Sequence, residues 1–463
     1  MMLRLAGTTL FVVLLALVRV SAQQATPAVP PDYTFTATGS RWLPVALSGD
    51  GTRFELTWPE TGDDWDTALL SIGVAAASAA GDESSSPAPC LVVTAGPYTD
   101  RQYFSPRDVG ARWLNLSHLP RDLAPGTRVS IEAHGMTLGT GTTTLRLFAR
   151  RPALDGPVLV LAPHPDDAEI AAFALYATTN ATVVTVTSGN AGAPTYEAVF
   201  DDGQEAGQYR FKGRIRTIDS ITVPLQGGVP PERAANLGYF DARLAAMYQQ
   251  PTSVIPEMYG PNTDIGVYRR YNVSPLVGRG SRESTWTNLV DDLYELLRRV
   301  RPEVIAAPHP QLDTHLDHQF TTVALVEALE RWNRDVTLLL YTNHADSNRY
   351  PYGPAGTLVS LPPPPGPVEL DGVFSLPVDR DLQRDKLFAL ESMHDLRFSP
   401  TRQYQLALGD GRAIAPEKEG PGPDITYLRR GPRSNELFFV YDRASVTRMM
   451  DAFLAPWRAR RGG

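Results

Sequence analysis

Two short stretches of this chain concentrate the side chains that bind cations and move protons. The first, residues 163–169, reads Pro163, His164, Pro165, Asp166, Asp167, Ala168, Glu169; the second, residues 313–318, reads Asp313, Thr314, His315, Leu316, Asp317, His318. Two imidazoles and one carboxylate are a usual protein ligand set for a catalytic zinc ion, with a fourth position left for water. Neither stretch supplies enough ligands alone, whereas the two together do. Asp166 and Asp167 diverge from one backbone, so one can bind the cation while its neighbour reaches the water, and Pro165 stiffens the turn that carries them. The chemistry within reach of such a set is activation of a bound water as a nucleophile.

A purely structural reading competes with this one. Acidic residues at a helix start cap free amide groups and favour the helix dipole, and His315 and His318 would serve as polar residues opening the next helix. The first cluster alone leaves both readings open. Coincidence tips the balance: three of the eight histidines fall between His309 and His318, a fourth is His164, and all follow expected strand ends.

The elements that must position these clusters are legible from periodicity. Residues 157–162 form a continuous apolar run, residues 169–178 suit a helix, and residues 181–187 form a second run, which is the pattern of a βαβ unit. Apolar residues at helical spacing over 284–300, a strand over 304–307, a helix over 319–332 and a strand over 336–341 continue the alternation. The expected fold class is α/β, a doubly wound, mostly parallel, Rossmann-like sheet, in which ligands bind where loops leave the carboxyl ends of strands. Irregular insertions are expected at 190–212, 250–282 and 343–370. Before residue 151 the pattern differs, with short alternating runs at 54–58, 68–74, 90–94, 128–133 and 144–149 separated by turns. That pattern predicts a smaller β-sandwich-like domain, so the expected division is 1–22, 30–151 and 156–460.

Residues 1–22 carry Arg4, an apolar run over 5–18 and small residues at Ser21 and Ala22, the signature of a signal peptide cleaved before Gln23. The expected location is therefore secreted or periplasmic, without a transmembrane segment after cleavage. A net charge of −8 argues against a duplex nucleic-acid partner. Cys90 is the only cysteine, so neither an intramolecular disulfide nor a thiolate metal cluster is possible.

At its two clusters the chain resembles the PIG-L/LmbE-like N-acetylglucosaminyl deacetylases, over about residues 157–441. The first family motif appears as PHPDDAE, with Glu169 one place later than usual, and the second, His-x-Asp-His, as His315 to His318. The resemblance implies His164, Asp167 and His318 as metal ligands, Asp166 as general base, His315 as the residue that stabilises the intermediate and helps protonate the amine, and Asp317 as the carboxylate that orients His315. It implies Zn2+ as cofactor, with Fe2+ also fitting. Residues 237–241 resemble the LGY-x-D stretch, which implies that Asp241 touches a sugar hydroxyl, and Arg216 with Asp219 resembles an Arg and Glu pair on a helix, Arg214 competing for the same role, which implies Arg216 as a substrate-binding residue. Lys386 with a displaced His394 resembles a late motif, and Glu436 a terminal one expected to be structural.

The activity so implied is hydrolysis of the acetamide of N-acetylglucosamine-type sugars in a glycan or glycoconjugate. Tyr259, Tyr268, Tyr271 and Tyr350, all in insertions, are candidates for stacking on sugar rings. Two alternatives stay open at this point: a metal-containing glycan-binding protein without catalysis, and an esterase or other amidase using the same water. A nucleotide-binding protein is disfavoured, because no glycine-rich turn follows Leu161.

Overall fold

The computed structural model describes residues 32–77, 88–148, 152–194, 196, 205–278, 282–363, 366–396 and 426–461. The expected leader over 1–22 lies outside the described residues. The molecule is a mixed α/β protein, with an antiparallel, strand-rich N-terminal region followed by a mostly parallel sheet.

The N-terminal region contains β1 (Phe35–Ala37), β2 (Ser40–Gly49), β3 (Arg53–Thr57), β4 (Thr67–Ala77), β5 (Cys90–Ala95), β6 (Tyr98–Tyr103), β7 (Gly110–Asn115), β8 (Arg128–His134), β9 (Met136–Leu138) and β10 (Gly141–Phe148). The hydrogen-bonded order is β6-β5-β8-β3-β2-β10-β4-β7, with β9 paired to β4. β2 runs along β10 for most of its length and crosses to β3 at Ser48 and Gly49, which joins the two halves. Inward side chains from both halves, among them Val45, Phe54, Leu70, Leu91, Ile131 and Leu145, share one core.

The rest of the chain runs β11 (Pro157–Ala162), α1 (Asp167–Ala177), β12 (Asn180–Thr187), α2 (Glu205–Thr222), β13 (Ala234–Tyr239), α3 (Leu244–Gln249), α4 (Gly266–Arg269), α5 (Trp286–Val300), β14 (Val304–Pro308), α6 (Leu316–Trp332), β15 (Thr337–Tyr341), β16 (Val368–Leu370), β17 (Gly372–Pro377), α7 (Arg380–Ser392) and β18 (Asn435–Tyr441). The sheet order is β13-β12-β11-β14-β15-β18-β17, with the first five strands parallel and β18 antiparallel to both its neighbours. Strand residues alternate between two cores. Leu159, Leu161, Ile305 and Leu338 pack on α5 and α6, while Val158, Val160, Ala306 and Leu339 pack on the α1 side. Burial on both faces is why these strands read as continuous apolar runs.

The order reverses between β11 and β14, because the chain builds outward from β11 to β13 and then returns to the other side of β11. Loops leaving the carboxyl ends of strands separate at such a point and open a crevice. The two motifs occupy it, one after β11 and one after β14. Among the described residues no helix is long and apolar enough to cross a membrane.

Candidate metal centre

Three donor atoms converge at the crevice. His164 Nδ1 lies 3.2 Å from Asp167 Oδ2 and 3.2 Å from His318 Nε2, and His318 Nε2 lies 3.1 Å from the same carboxylate oxygen. Two donors on one tetrahedral zinc ion at about 2.0–2.1 Å stand about 3.3 Å apart, so the triangle has nearly the size of one face of that tetrahedron. All three side chains are buried. Two imidazole nitrogens facing each other across one carboxylate oxygen are a donor set that fits a divalent metal.

Each ligand is held from behind. Asp313 Oδ2 accepts a hydrogen bond from His318 Nδ1 at 3.0 Å, which leaves Nε2 bare for coordination. Asn343 donates to Asp167 Oδ1 at 2.8 Å, and His164 N–H donates to Asp167 Oδ2 at 2.9 Å. His164 Nε2 stands 3.1 Å from Asp241 Oδ1 and 3.4 Å from Asp317 Oδ2, near both but aligned for a hydrogen bond with neither. Burial works against a charged His318, yet the carboxylates of Asp167 and Asp313 prevail and push its pKa up to about 10. Burial alone would raise Asp167, but His318 and His164 hold it well below the usual carboxylate range. The protein thus concentrates negative charge where the ion would sit.

Asp166 occupies the N-cap place of α1 at φ 128° and ψ −27°, a backbone conformation rare outside glycine. Its side chain makes no cap hydrogen bond, so the capping role that competed in the sequence is not the one it plays. Asp166 Oδ2 instead accepts from Arg216 Nη2 at 3.0 Å. Burial pushes its pKa up to about 7, with Arg216 opposing the rise and Asp167 adding to it. A carboxylate poised near neutrality suits a general base. His315, at the N-cap place of α6, makes no cap bond either, and its Nδ1 is buried without a partner. Its ring centroid lies 4.8 Å from that of His164 and 5.0 Å from that of His318.

Several sequence expectations are corrected here. Asp317 does not bond to His315: its oxygens accept from Ala242 N at 2.6 Å and Leu244 N at 3.2 Å, anchoring the turn after β13, and one faces His164. Arg216 pairs with Asp166, and Asp241 Oδ1 faces His164 Nε2, both side chains being about as buried as the groups they face. Asp219 pairs with His394 at 2.7 Å, not with Arg216. Tyr268 and Tyr350 are buried in packing, which removes them as stacking platforms, and Tyr259 already stacks on Tyr209 at 3.8 Å. Glu436 is structural as expected, in a buried ion pair of 2.8 Å with Lys386.

Glycines shape the two loops nearest the ligands. Gly238 has φ +77°, and a Cβ there would meet Ile265 O at 3.0 Å, so only glycine fits the irregularity that turns the chain toward Asp241. Gly189, at φ +66°, lets the Arg216 guanidinium lie where a Cβ would be.

The residues missed in the sequence are Asn343 and His344, which follow β15 at the same sheet edge. The His344 ring centroid lies 4.7 Å from that of His318 and 5.3 Å from that of His315. The available signal was position: an Asn-His pair directly after the next parallel strand, beside two loops already marked.

No curated protein matches the chain. Among solved structures it is similar to GalB, the 4-carboxy-2-hydroxymuconate hydratase from Pseudomonas putida KT2440, at 12% identity over 62% of this chain and 95% of that one, with a TM-score of 0.26. It is similar to a family two carbohydrate esterase from Cellvibrio japonicus at 10% identity, over 80% and 99% of the two chains, with a TM-score of 0.14. TM-scores of this size leave both likenesses without consequence for the chemistry. Residues 159–329, which include both clusters and all three converging ligands, match the family model described as GlcNAc-PI de-N-acetylase, and the chain thus carries a PIG-L domain over that span.

Proposed function

We propose that this protein is an exported, zinc-dependent N-deacetylase that hydrolyses the acetamide of N-acetylglucosamine-type sugars in a glycan or glycoconjugate. The PIG-L domain supports a deacetylase-type activity on N-acetylated sugars in general. The observation that carries the finer reading is the buried triangle of His164 Nδ1, Asp167 Oδ2 and His318 Nε2, with Asp166 beside it.

His164, Asp167 and His318 would hold a divalent ion, which would supply the Lewis acidity that polarises an acetamide carbonyl and would make water nucleophilic near neutral pH. Asp166 takes a proton from the attacking water as its oxygen bonds to the carbonyl carbon. Arg216 fixes the rotamer of Asp166 and tempers the rise in its pKa. The buried, unpartnered Nδ1 of His315 supports a place for that residue as hydrogen-bonding partner of the reacting amide. The carbon–nitrogen bond then breaks, the proton passes to the amine, and acetate and an amino sugar leave. Asp317 and Asp241 act through His164, placing two carboxylates beside its Nε2.

Residues 30–151 serve in this reading as an accessory β-sandwich-like domain and 156–460 as the deacetylase domain, whose strand order supports the doubly wound, Rossmann-like class. Export rests on the leader pattern of residues 1–22. The test is acetate release from N-acetylglucosamine oligosaccharides by the purified chain, first treated with a chelator and then given Zn2+ or Fe2+. Release lost on chelation and restored by one of these ions is expected; release indifferent to chelation would exclude the metal-dependent reading.

A further inference from the structure

His344 belongs to neither motif, yet it is built into the same centre. Its N–H donates to Asp313 Oδ2 at 3.1 Å, the oxygen that also accepts from His318 Nδ1 at 3.0 Å. Its carbonyl accepts from Thr314 N at 2.9 Å and Thr314 Oγ1 at 3.1 Å. The backbone of His344 and the ring of His318 therefore share one anchor, and neither shifts without the other. The two rings meet edge to face, 4.7 Å apart at 70°.

The tautomer of His344 follows from its neighbours. Nδ1 lies 2.9 Å from Asn348 Oδ1, and Arg430 Nη1 lies 3.4 Å from the same atom. A guanidinium only donates, so the amide atom facing both groups is the oxygen, and the imidazole must donate to it. Nδ1 then carries the proton and Nε2 keeps its lone pair, the state in which a histidine binds metal. Among the described residues no donor meets that lone pair. One donor atom each from Asp167, His318 and His344 lie within 4.8 Å of one another. Two donors on one zinc stand about 3.3 Å apart, so the His344 ring has to move inward by roughly 1.5 Å or more to join Asp167 and His318, and it does not share a group of that size with His164.

We propose that His344, through Nε2, is a further protein ligand for the cation held by His164, Asp167 and His318. The proposal rests on the reading of that triangle as a metal centre. Zinc accepts a fifth donor during reaction, so a third imidazole does not close the site to water or substrate. It tightens the hold on the ion and draws the loop after β15 into the coordination shell.

X-ray absorption of the zinc-loaded wild-type chain counts imidazole ligands without any substitution. Three are expected, and two would overturn the proposal. In parallel, competition with a chromophoric chelator measures zinc affinity in the wild type, His344→Ala and His344→Gln, with thermal unfolding of the metal-free proteins as a check on folding. Zinc binding at least tenfold weaker in both variants is expected; affinity within twofold of wild type would overturn the proposal. If the wild type itself binds no zinc, the metal-centre reading falls, and this inference falls with it.

Discussion

One oxygen of Asp313 accepts three hydrogen bonds, from His318 Nδ1, Asn343 N and His344 N. Its other oxygen accepts from His315 N at 3.0 Å. A single buried carboxylate thereby fixes the ring of His318, one of the converging donors, and the backbone of the two loops that face it. Replacing it by an amide keeps the shape but removes the charge that makes His318 a stronger donor. Asp313→Asn should weaken zinc binding by roughly 10–100-fold, the usual effect of losing a partner behind a metal-bound histidine. Chelator competition measures this, and unchanged affinity would take Asp313 out of the account. The converging donors were readable because each motif is contiguous and lies at an expected strand end. Their supports were less so. Asn343 lies in a stretch that reads only as an irregular insertion, and which imidazole Asp317 faces depends on how the turn after β13 packs, which no local pattern records.

At the scale of elements, α1 is the part whose shape the sequence conceals. It breaks at Ala172, with φ −140° and ψ 24°, although alanine is the strongest helix former. The amide groups freed by the break, Ala174 N and Leu175 N, donate to the two oxygens of Glu436 at 2.8 and 3.0 Å, and Lys386 neutralises that carboxylate. Glu436 lies far along the chain on β18, so neither the break nor its remedy can be read from residues 167–177. Glu436→Ala leaves two amides and a buried ammonium unpaired and should cost about 3–5 kcal/mol of stability. Denaturant unfolding of the metal-free protein measures it, and a loss below about 1 kcal/mol would show that the cap is dispensable. The parallel strands, by contrast, lie close to where their apolar runs put them, because burial on both faces leaves no polar alternation to confuse. β2 was hidden by Pro44, which breaks a strand signal; the structure tolerates it because Pro44 pairs only with β10, leaving its other side at an edge.

Across the whole molecule, the change of pattern near residue 151 marks the passage from antiparallel to parallel sheet. It does not mark independence. Tyr33, Phe35, Leu69 and Phe148 from the N-terminal region share a core with Leu370 and Val373 from the second. β1 pairs in parallel with β16, and Asn115 Nδ2 donates to Val359 O at 2.9 Å and Ser375 Oγ at 3.1 Å. Those contacts were invisible beforehand, since a strand's pattern says which face is apolar but not what covers it. A shared core of this kind couples unfolding, so calorimetry of the full chain should give one transition, and Asn115→Ala should lower its midpoint by a few degrees through the loss of buried hydrogen bonds. Two separate transitions would contradict the coupling. The stretch after β15, which reaches both Asn115 and the metal centre, is then the physical link between the two regions.

The central claim, that Asp166 moves a proton for a reaction at a metal held by His164, Asp167 and His318, is tested most directly by Asp166→Asn, with zinc content and acetate release measured on the same preparation. The account predicts zinc bound as in the wild type, because Asp166 is not among the converging donors, and acetate release from N-acetylglucosamine oligosaccharides reduced by at least about a hundredfold, the usual contribution of a general base. Zinc retained with release near the wild-type rate would contradict it.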